Sequence, residues 1–212
     1  MIEAAVINSG VHGSSSAFKN NALVNYTYLN VDENFSPDLT PYHLLLTGNP
    51  TDHIALYKIK DKIADFLNQG KTLFCFSGWY TDYIPGNKWI MERDIKSIDI
   101  RYFKKSDKNN LLTGVNINEL IYQNGISGWW ACGHIEPSEN AEIILVDTLN
   151  RPIMILDQNS TNGTIICTSG GPLNGKKSKN EEDLHAVNVL YNNLIDYIYK
   201  KQRHEQENRI SI

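Results

Sequence analysis

The chain has 212 residues, a formal net charge of −4 at pH 7 and a sequence pI near 5.9. This length suits one large domain better than two, and 41% hydrophobic with 21% charged residues is ordinary for a globular protein. The lack of a basic surplus disfavours a protein that wraps nucleic acid. No apolar run approaches the ~20 residues of a membrane span, and the N-terminus resembles a strand and not a signal peptide. We therefore expect a cytoplasmic protein with neither nucleic acid nor membrane as a partner.

Short runs of apolar and β-branched residues, separated by turn residues, predict seven strands. In chain order they are residues 4–8, 26–31, 44–48, 72–76, 142–147, 153–156 and 164–169. The third run, Leu44-Leu45-Leu46-Thr47-Gly48, is too apolar to be half-exposed, which favours a parallel sheet that is buried on both faces. Residues 149–152 resemble a turn and predict a hairpin between the fifth and sixth strands.

Two segments have helical periodicity. The first is predicted to begin at a cap on Thr51 or Asp52 and to end at Gly70, with its apolar residues on one stripe. Because the 72–76 strand follows directly, these elements form a β-α-β unit. The second helix is predicted from about residue 181 to residue 200. Residues 1–200 are then one domain and 201–212 a frayed tail.

Residues 79–141 are predicted to be irregular and are dense in aromatic side chains. An insertion of this length is uncommon inside a compact domain and often carries function. The three cysteines, Cys75, Cys132 and Cys167, are far apart in the sequence and odd in number, so we expect reduced, buried thiols.

The order of these elements and several of their motifs resemble the class I glutamine amidotransferase-like superfamily, and especially its non-amidotransferase, trehalose-utilisation-like branch. The resemblance covers about residues 1–78 and 140–200. Its motifs are the segments 42–50, 68–73, 77–79, 151–156, 162–172 and 190–198. It implies a flavodoxin-like three-layer α/β sandwich with a central, mainly parallel sheet, interrupted here by the long aromatic-rich insertion.

Catalytic members of that superfamily carry a cysteine in a Gly-x-Cys-x-Gly elbow and a His-Pro-Glu segment after a late strand. If Gly78 is the second elbow glycine, the nucleophile position falls on Phe76, and Cys75 points to the opposite face of the strand. A register shifted by one residue exposes Cys75 or presents Ser77 instead. The His-Pro-Glu position holds residues 169–172, which contain neither an imidazole nor a carboxylate. The sequence therefore predicts an incomplete catalytic triad.

Outside the elbow, the stretch around Cys132, His134 and Glu136 carries the most reactive side chains. On an extended strand these three residues share one face, although their spacing matches no standard zinc pattern, and we predict no metal site. His12 lies in a Gly/Ser-rich loop after the first strand, where backbone amides could hold an anion, but the loop has no phosphate-binding motif.

Ligands of α/β proteins bind at the carboxyl ends of the strands. The candidate ligand-binding residues at these ends are Asn8, Gly10, Gly48, Asn49, Gly78, Trp79 and Gly170. The candidate catalytic residues, none with an assigned role, are His12, Cys75, Ser77, His134 and Glu136.

The hypothesis that follows is a catalytically silent amidotransferase-like domain. It binds a small ligand or a protein partner, without a cofactor, as one component of a larger assembly. The alternative is a hydrolase of a carbohydrate or nucleoside-like molecule that uses His12 and Ser77, with His134 and Glu136 as further candidates.

Overall fold

A computed structural model describes residues 1–10, 18–92, 94–96, 99–122, 129–171 and 185–210. The candidate His12 and the predicted start of the second helix lie outside the described residues. Within the described residues, no helix is long and apolar enough to cross a membrane.

An eight-stranded sheet forms the centre of the molecule. Its strands are β1 (Ile2–Asn8), β2 (Val24–Asn30), β3 (Leu44–Gly48), β4 (Thr72–Phe76), β6 (Tyr102–Lys104), β8 (Glu142–Asp147), β9 (Pro152–Asp157) and β10 (Thr164–Thr168). Their order is β2-β1-β3-β4-β10-β9-β8-β6. The first five in that order are parallel, and β9, β8 and β6 extend the sheet as antiparallel strands. The predicted central parallel sheet is therefore present, and its predicted β8–β9 hairpin is confirmed.

Helices cover both faces of the sheet. They are α1 (His53–Lys58), α2 (Lys60–Asn68), the short α3 (Glu119–Tyr122) and α4 (His185–Ile210). The helix α4 packs on one face through an apolar stripe that includes Val187, Leu190 and Leu194. The pair α1 and α2 packs on the other face through residues such as Leu56 and Ile63. The arrangement is compatible with a three-layer α/β fold.

The first predicted helix is two helices. Asp52 caps α1 by accepting hydrogen bonds from the backbone N–H groups of Ile54 and Ala55 at 2.9 and 3.0 Å, as the sequence predicts. The chain then leaves helical geometry at Ile59, with φ −102° and ψ 14°, and α2 begins at the next residue. Gly70 closes α2 with φ +86°, in the left-handed conformation expected of it.

Two parts of the chain are more ordered than the sequence predicts. The segment 79–141, predicted to be irregular, contributes β6, α3 and a separate two-stranded sheet of β5 (Lys88–Met91) and β7 (Gly133–Glu136). The C-terminal segment, predicted to be a frayed tail from 201, is helical as far as Ile210. Lys201 donates a hydrogen bond to Thr164 at the start of β10, so α4 continues beyond the amino edge of the sheet.

The antiparallel strands place one more turn at the carboxyl edge of the parallel strands. Thr168 at the end of β10 pairs with Met154 near the start of β9. The β8–β9 turn, from Asp147 to Arg151, therefore lies at the same edge as the ends of β1, β3, β4 and β10. This edge holds most of the candidate functional residues.

Candidate functional site

The chain turns sharply at the end of β4, at the position where α/β hydrolases hold a nucleophile. Ser77 has φ +64° and Gly78 has φ +80°. We call these two residues the elbow. A non-glycine residue in the left-handed region costs about 1–2 kcal/mol, so surrounding contacts must hold Ser77 there. Of the three residues considered from the sequence, Ser77, and neither Phe76 nor Cys75, has the left-handed backbone of this turn.

Hydrogen bonds from the elbow to the loop after β10 supply part of that support. The backbone N–H of Ser77 donates to the carbonyl of Gly170 at 3.2 Å, and that of Gly78 donates to the carbonyl of Thr168 at 3.2 Å. On the other side, the backbone N–H of Asn49 donates to the carbonyl of Phe76 at 3.1 Å. The N–H of Gly48 donates to the hydroxyl of Thr51 at 3.3 Å.

Oxyanion holes of α/β hydrolases take the N–H of the residue after the nucleophile and another from a neighbouring strand–helix loop. In this protein, the N–H of Gly78, the residue after Ser77, already donates to Thr168, and the N–H groups of Gly48 and Asn49 in the loop after β3 also donate to protein groups. A developing negative charge at Ser77 that used any of these amides would have to displace its internal hydrogen bond.

Cys75 lies one residue before the end of β4 and is buried in the core with α1 and α2, where its Sγ lies 3.9 Å from the carbonyl oxygen of Gly78. It is 0% exposed, and burial raises the pKa of its thiol to about 11. Its Sγ lies 3.3 Å from the hydroxyl of Tyr83, which donates to Thr47 at 3.0 Å. Because the thiolate is the reactive form, the buried Cys75 is not placed to act as a nucleophile.

Of the three cysteines expected to be buried, one is not. Cys75 and Cys167 are both fully buried, whereas Cys132 is exposed and none of the three forms a disulfide. Cys132 lies just before β7, a strand on the surface of the molecule.

The loop after β10 carries no catalytic partner in its described residues. Ser169 accepts a hydrogen bond from the indole N–H of Trp89 at 3.1 Å. A Cβ added at Gly171 would lie 2.6 Å from the Oγ of Ser77, so this loop passes directly beside the elbow hydroxyl. Residues 169–171 offer that hydroxyl neither an imidazole nor a carboxylate, as the sequence predicts.

Four candidate ligand-binding residues have packing roles. A Cβ at Gly48 would lie 2.6 Å from the carbonyl oxygen of Phe76, one at Gly78 would lie 2.4 Å from the indole of Trp89, and one at Gly170 would lie 2.9 Å from Trp129. Trp79 is 2% exposed. These glycines are required for close packing, and the Trp79 ring is a core side chain that offers no face to a ligand.

The remaining candidates also lie at the strand ends. Asn8, at the end of β1, is buried; it donates from its amide to the side chain of Asn30 at 2.7 Å, and its Oδ1 accepts from the N–H of Gly10 at 3.3 Å. Gly10 is exposed with φ +75°, and no described residue lies within 4 Å of the Cβ that it lacks. Asn49 is half-buried at the end of β3. Gly10 and Asn49 can contact a ligand at the strand ends.

Asn49 also belongs to a cluster that the sequence analysis missed. Its amide donates to the hydroxyl of Tyr80 at 3.0 Å, and the backbone N–H of Tyr80 donates to Nδ1 of His53 at 3.3 Å. The rings of His53 and Tyr80 meet at 83° with centroids 5.0 Å apart. We call Asn49, His53 and Tyr80 the rim. Sequence alone carried no signal for it, because nothing distinguishes Tyr80 from the buried aromatic residues around it.

His53 is neutral in this arrangement. Its Nδ1 accepts from Tyr80, and its Nε2–H faces the carbonyl oxygen of Asn49 at 3.2 Å. Burial lowers the pKa of His53, against smaller opposing effects of the Asn49 carbonyl and the Asp52 carboxylate. The described rim therefore presents uncharged hydrogen-bonding groups.

The second group of candidates forms a separate charged cluster. Arg151 forms ion pairs with Glu92 and with Asp147, whose side chain is 1% exposed, and its Nε donates to Asp147 at 2.8 Å. His134 lies beside this cluster, and burial together with the charge of Arg151 lowers its pKa. The ion pairs join the segment before β6 to the β8–β9 turn, which is a structural role.

Cys132, His134 and Glu136 alternate with the buried Gly133 and Ile135, so they share the outward face predicted for them. Among the described residues, no group of three histidine, cysteine or acidic side chains is arranged to hold a metal ion. The acidic and basic groups that act on His134 are Arg151, Asp147, Glu136 and Glu92. His134 therefore belongs to the charged cluster and not to the elbow.

The sequence matches no family model and no curated protein. The fold does recur in solved structures. Cytoplasmic Protein STM1381 from Salmonella typhimurium LT2 aligns with a TM-score of 0.61 at 11% identity, over 93% of this chain and 99% of that one. Cytoplasmic Protein STM3548 from Salmonella typhimurium aligns with a TM-score of 0.54 at 11% identity, over 90% and 98%.

A catalytic mutant of a GH42 β-galactosidase from G. stearothermophilus aligns with a TM-score of 0.50 at 13% identity. The match spans 92% of this chain but 30% of the β-galactosidase. At these identities the likenesses concern the fold alone, since unrelated functions share such folds.

Proposed function

We propose that this protein is a catalytically silent domain of the class I glutamine amidotransferase-like type, with a flavodoxin-like fold. It binds a small ligand at the carboxyl edge of its sheet as one component of a larger cytoplasmic assembly. The observation that carries the proposal is the elbow. Ser77 adopts φ +64° in the turn after β4, while its own N–H and those of Gly78, Gly48 and Asn49 are bonded within the protein.

Three observations support the absence of catalysis. The cysteine of β4 is buried with a pKa of about 11. The described loop beside the Ser77 hydroxyl lacks a base, and a serine without a base is a weak nucleophile. The four amides flanking the elbow would have to break existing hydrogen bonds to stabilise an oxyanion.

Ligand binding is supported by what remains accessible at the same edge. Asn49 and Ser77, both partly exposed, follow β3 and β4, which are neighbours in the sheet. Neighbouring strands are about 4.8 Å apart, so both side chains can contact one small molecule. Their amide and hydroxyl groups can orient a ligand without reacting with it.

The absence of catalysis is tested by ammonia release from glutamine. The wild-type protein, Cys75→Ser and Ser77→Ala should all match buffer. Ammonia release by the wild type that either substitution abolishes would overturn the proposal.

Ligand binding is tested by ligand-observed NMR with a library of small metabolites. Asn49→Ala and Ser77→Ala should weaken the binding of any ligand found. Asp61→Ala, on a 92% exposed side chain of α2, is the matched control and should leave binding unchanged. A library that yields no ligand sensitive to Asn49 or Ser77 would contradict the proposed site.

The alternative function, a hydrolase of a carbohydrate or nucleoside-like molecule, is favoured by one observation. Ser77 is partly exposed, and no described group accepts or donates a hydrogen bond at its hydroxyl. An activity on nitrophenyl glycosides or nucleosides would have to disappear in Ser77→Ala. If Ser77→Ala, His12→Ala and His134→Ala each leave such an activity unchanged, the alternative fails.

A further inference from the structure

Tyr80 is exposed and yet held in one orientation. Its surface is 51% exposed, which is unusual for a side chain with this many contacts. Its hydroxyl accepts from Asn49, its ring meets His53 at 83°, and it meets the Trp89 ring at 87° with centroids 5.1 Å apart. A mobile surface tyrosine would have to be ordered when a ligand binds, whereas Tyr80 is already ordered.

This ordering matters for binding. Immobilising a side chain with several rotamers costs about 0.5–1.5 kcal/mol on association. Rigid aromatic side chains are effective contact surfaces because they lose little entropy, and tyrosine has a polar end that stays solvated or bonded. The contacts of Tyr80 with Asn49, His53 and Trp89 remove most of this entropy cost before a ligand binds.

The position of Tyr80 connects it to the proposed ligand site. It lies three residues after Ser77 and bonds to Asn49 at the end of β3, so its ring stands over the ends of β3 and β4. The polar groups in contact with it are uncharged: the amide of Asn49 and the neutral ring of His53. The carboxylate of Asp52, adjacent to His53 in the chain, is occupied in capping α1.

These features define a class of ligand. An exposed aromatic ring beside neutral donors and acceptors suits a flat or weakly polar ring face together with hydroxyl groups. A phosphate or carboxylate would find no unpaired cationic side chain among the described residues of the rim.

Resting on the proposed function, we propose that Tyr80 is the stacking wall for an uncharged, hydroxyl-bearing ring, with Asn49 and Ser77 contacting its hydroxyl groups. A free sugar and a nucleoside share this chemistry. They differ in whether a sugar ring or a base lies on Tyr80.

The test measures the dissociation constants of methyl β-glucoside and adenosine for the wild type, Tyr80→Ala, Tyr80→Phe and Tyr57→Ala. By the usual strength of stacking between a base and an aromatic ring, Tyr80→Ala should weaken binding by about 5- to 150-fold. Tyr80→Phe keeps the ring and loses the contact with Asn49, so a smaller, severalfold loss is expected. Tyr57 is 48% exposed on the neighbouring α1 and serves as the matched control, with no change expected.

The inference is supported if either probe binds and if its binding is weakened by Tyr80→Ala but not by Tyr57→Ala. The probe that binds shows whether the ring on Tyr80 is a sugar or a base. Failure of both probes to bind, or binding that is indifferent to Tyr80, would overturn it. If another ligand depends on Asn49 and Ser77 but not on Tyr80, the inference fails while the proposed function stands. Melting temperatures of the variants show that each is folded.

Discussion

The elbow and the rim lie one strand apart at the same edge of the sheet, and they are built in opposite ways. The elbow is closed: its amides are bonded internally, and the Trp89 indole packs against Gly78. The rim is open: Tyr80 is half-exposed, although its neighbours hold its orientation. The elbow, where related folds place a nucleophile, is thus filled by contacts within the protein. The accessible polar and aromatic groups lie beside it, in the rim.

The largest expected effect is a difference in alkylation rate between Cys75, the buried thiol beneath the elbow, and Cys132. Cys75 is fully buried with a pKa of about 11, whereas Cys132 is exposed. Since alkylation requires an accessible thiolate, Cys75 in the native protein should react with iodoacetamide roughly 100-fold or more slowly than Cys132. Peptide mapping by mass spectrometry checks this, and rapid labelling of Cys75 would show that the core beneath the elbow opens.

The closed packing of the elbow can be tested with two glycines. In Gly78→Ala, a left-handed backbone combines with a Cβ 2.4 Å from the Trp89 indole, and we expect destabilisation of about 2–5 kcal/mol. Gly10→Ala has a similar φ of +75° with no described residue within 4 Å of its Cβ, so only about 1–2 kcal/mol is expected. Urea unfolding of both variants measures the difference, and equal losses would show that Trp89 does not close the elbow.

The strain at Ser77 gives a smaller effect of opposite sign. If Ser77 has no catalytic role that preserves its strain, Ser77→Gly should stabilise the protein by about 0.5–1 kcal/mol, because glycine adopts φ +64° freely but loses more entropy on folding. Asn150→Gly is the control, since asparagine tolerates its φ of +59° better. A loss of stability in Ser77→Gly would reveal a stabilising contact of the hydroxyl.

The smallest expected effect is the pH dependence of the rim. The folded-state pKa of His53 is lowered, so the unfolded chain binds a proton more readily than the folded protein does. The stability that neutral His53 contributes is therefore fully present above its unfolded pKa of about 6.5 and is lost as the pH falls through the folded pKa.

The free energy of unfolding of the wild type should decline more between pH 7.5 and pH 5.5 than that of His53→Gln. The comparison removes the contributions of His43 and His134, whose pKa values are also lowered but which both proteins contain. Parallel pH profiles would show that burial in the rim does not hold His53 neutral.

The parallel half of the fold could be predicted from the sequence because its central strands are uniformly apolar. β3 and β4 begin and end where their apolar runs do, and strand alternation alone places Cys75 on the face of β4 that packs against α1 and α2. The break at Ile59 could not be predicted, because the apolar stripe continues through it with helical spacing.

The antiparallel half and the rim depend on contacts distant in the sequence. β5, β6 and β7 have three or four residues each, too few for a periodic pattern, and they are strands only because partners pair with them. Trp79 and Tyr80 are adjacent aromatic residues in the sequence, yet one is 2% and the other 51% exposed. The packing of Trp89 and His53 around them determines this difference in exposure. Because Trp89 and His53 are distant in the sequence, the local sequence does not predict it.

The measurement that tests the central claim most directly is covalent labelling of the native protein with a fluorophosphonate, followed by peptide mapping. These reagents modify serines that a neighbouring base and an oxyanion hole activate. A catalytically silent elbow predicts no adduct on Ser77 beyond the level of other surface serines. A stoichiometric adduct on Ser77, absent when the protein is first unfolded in urea, would show an assembled catalytic site and contradict the account.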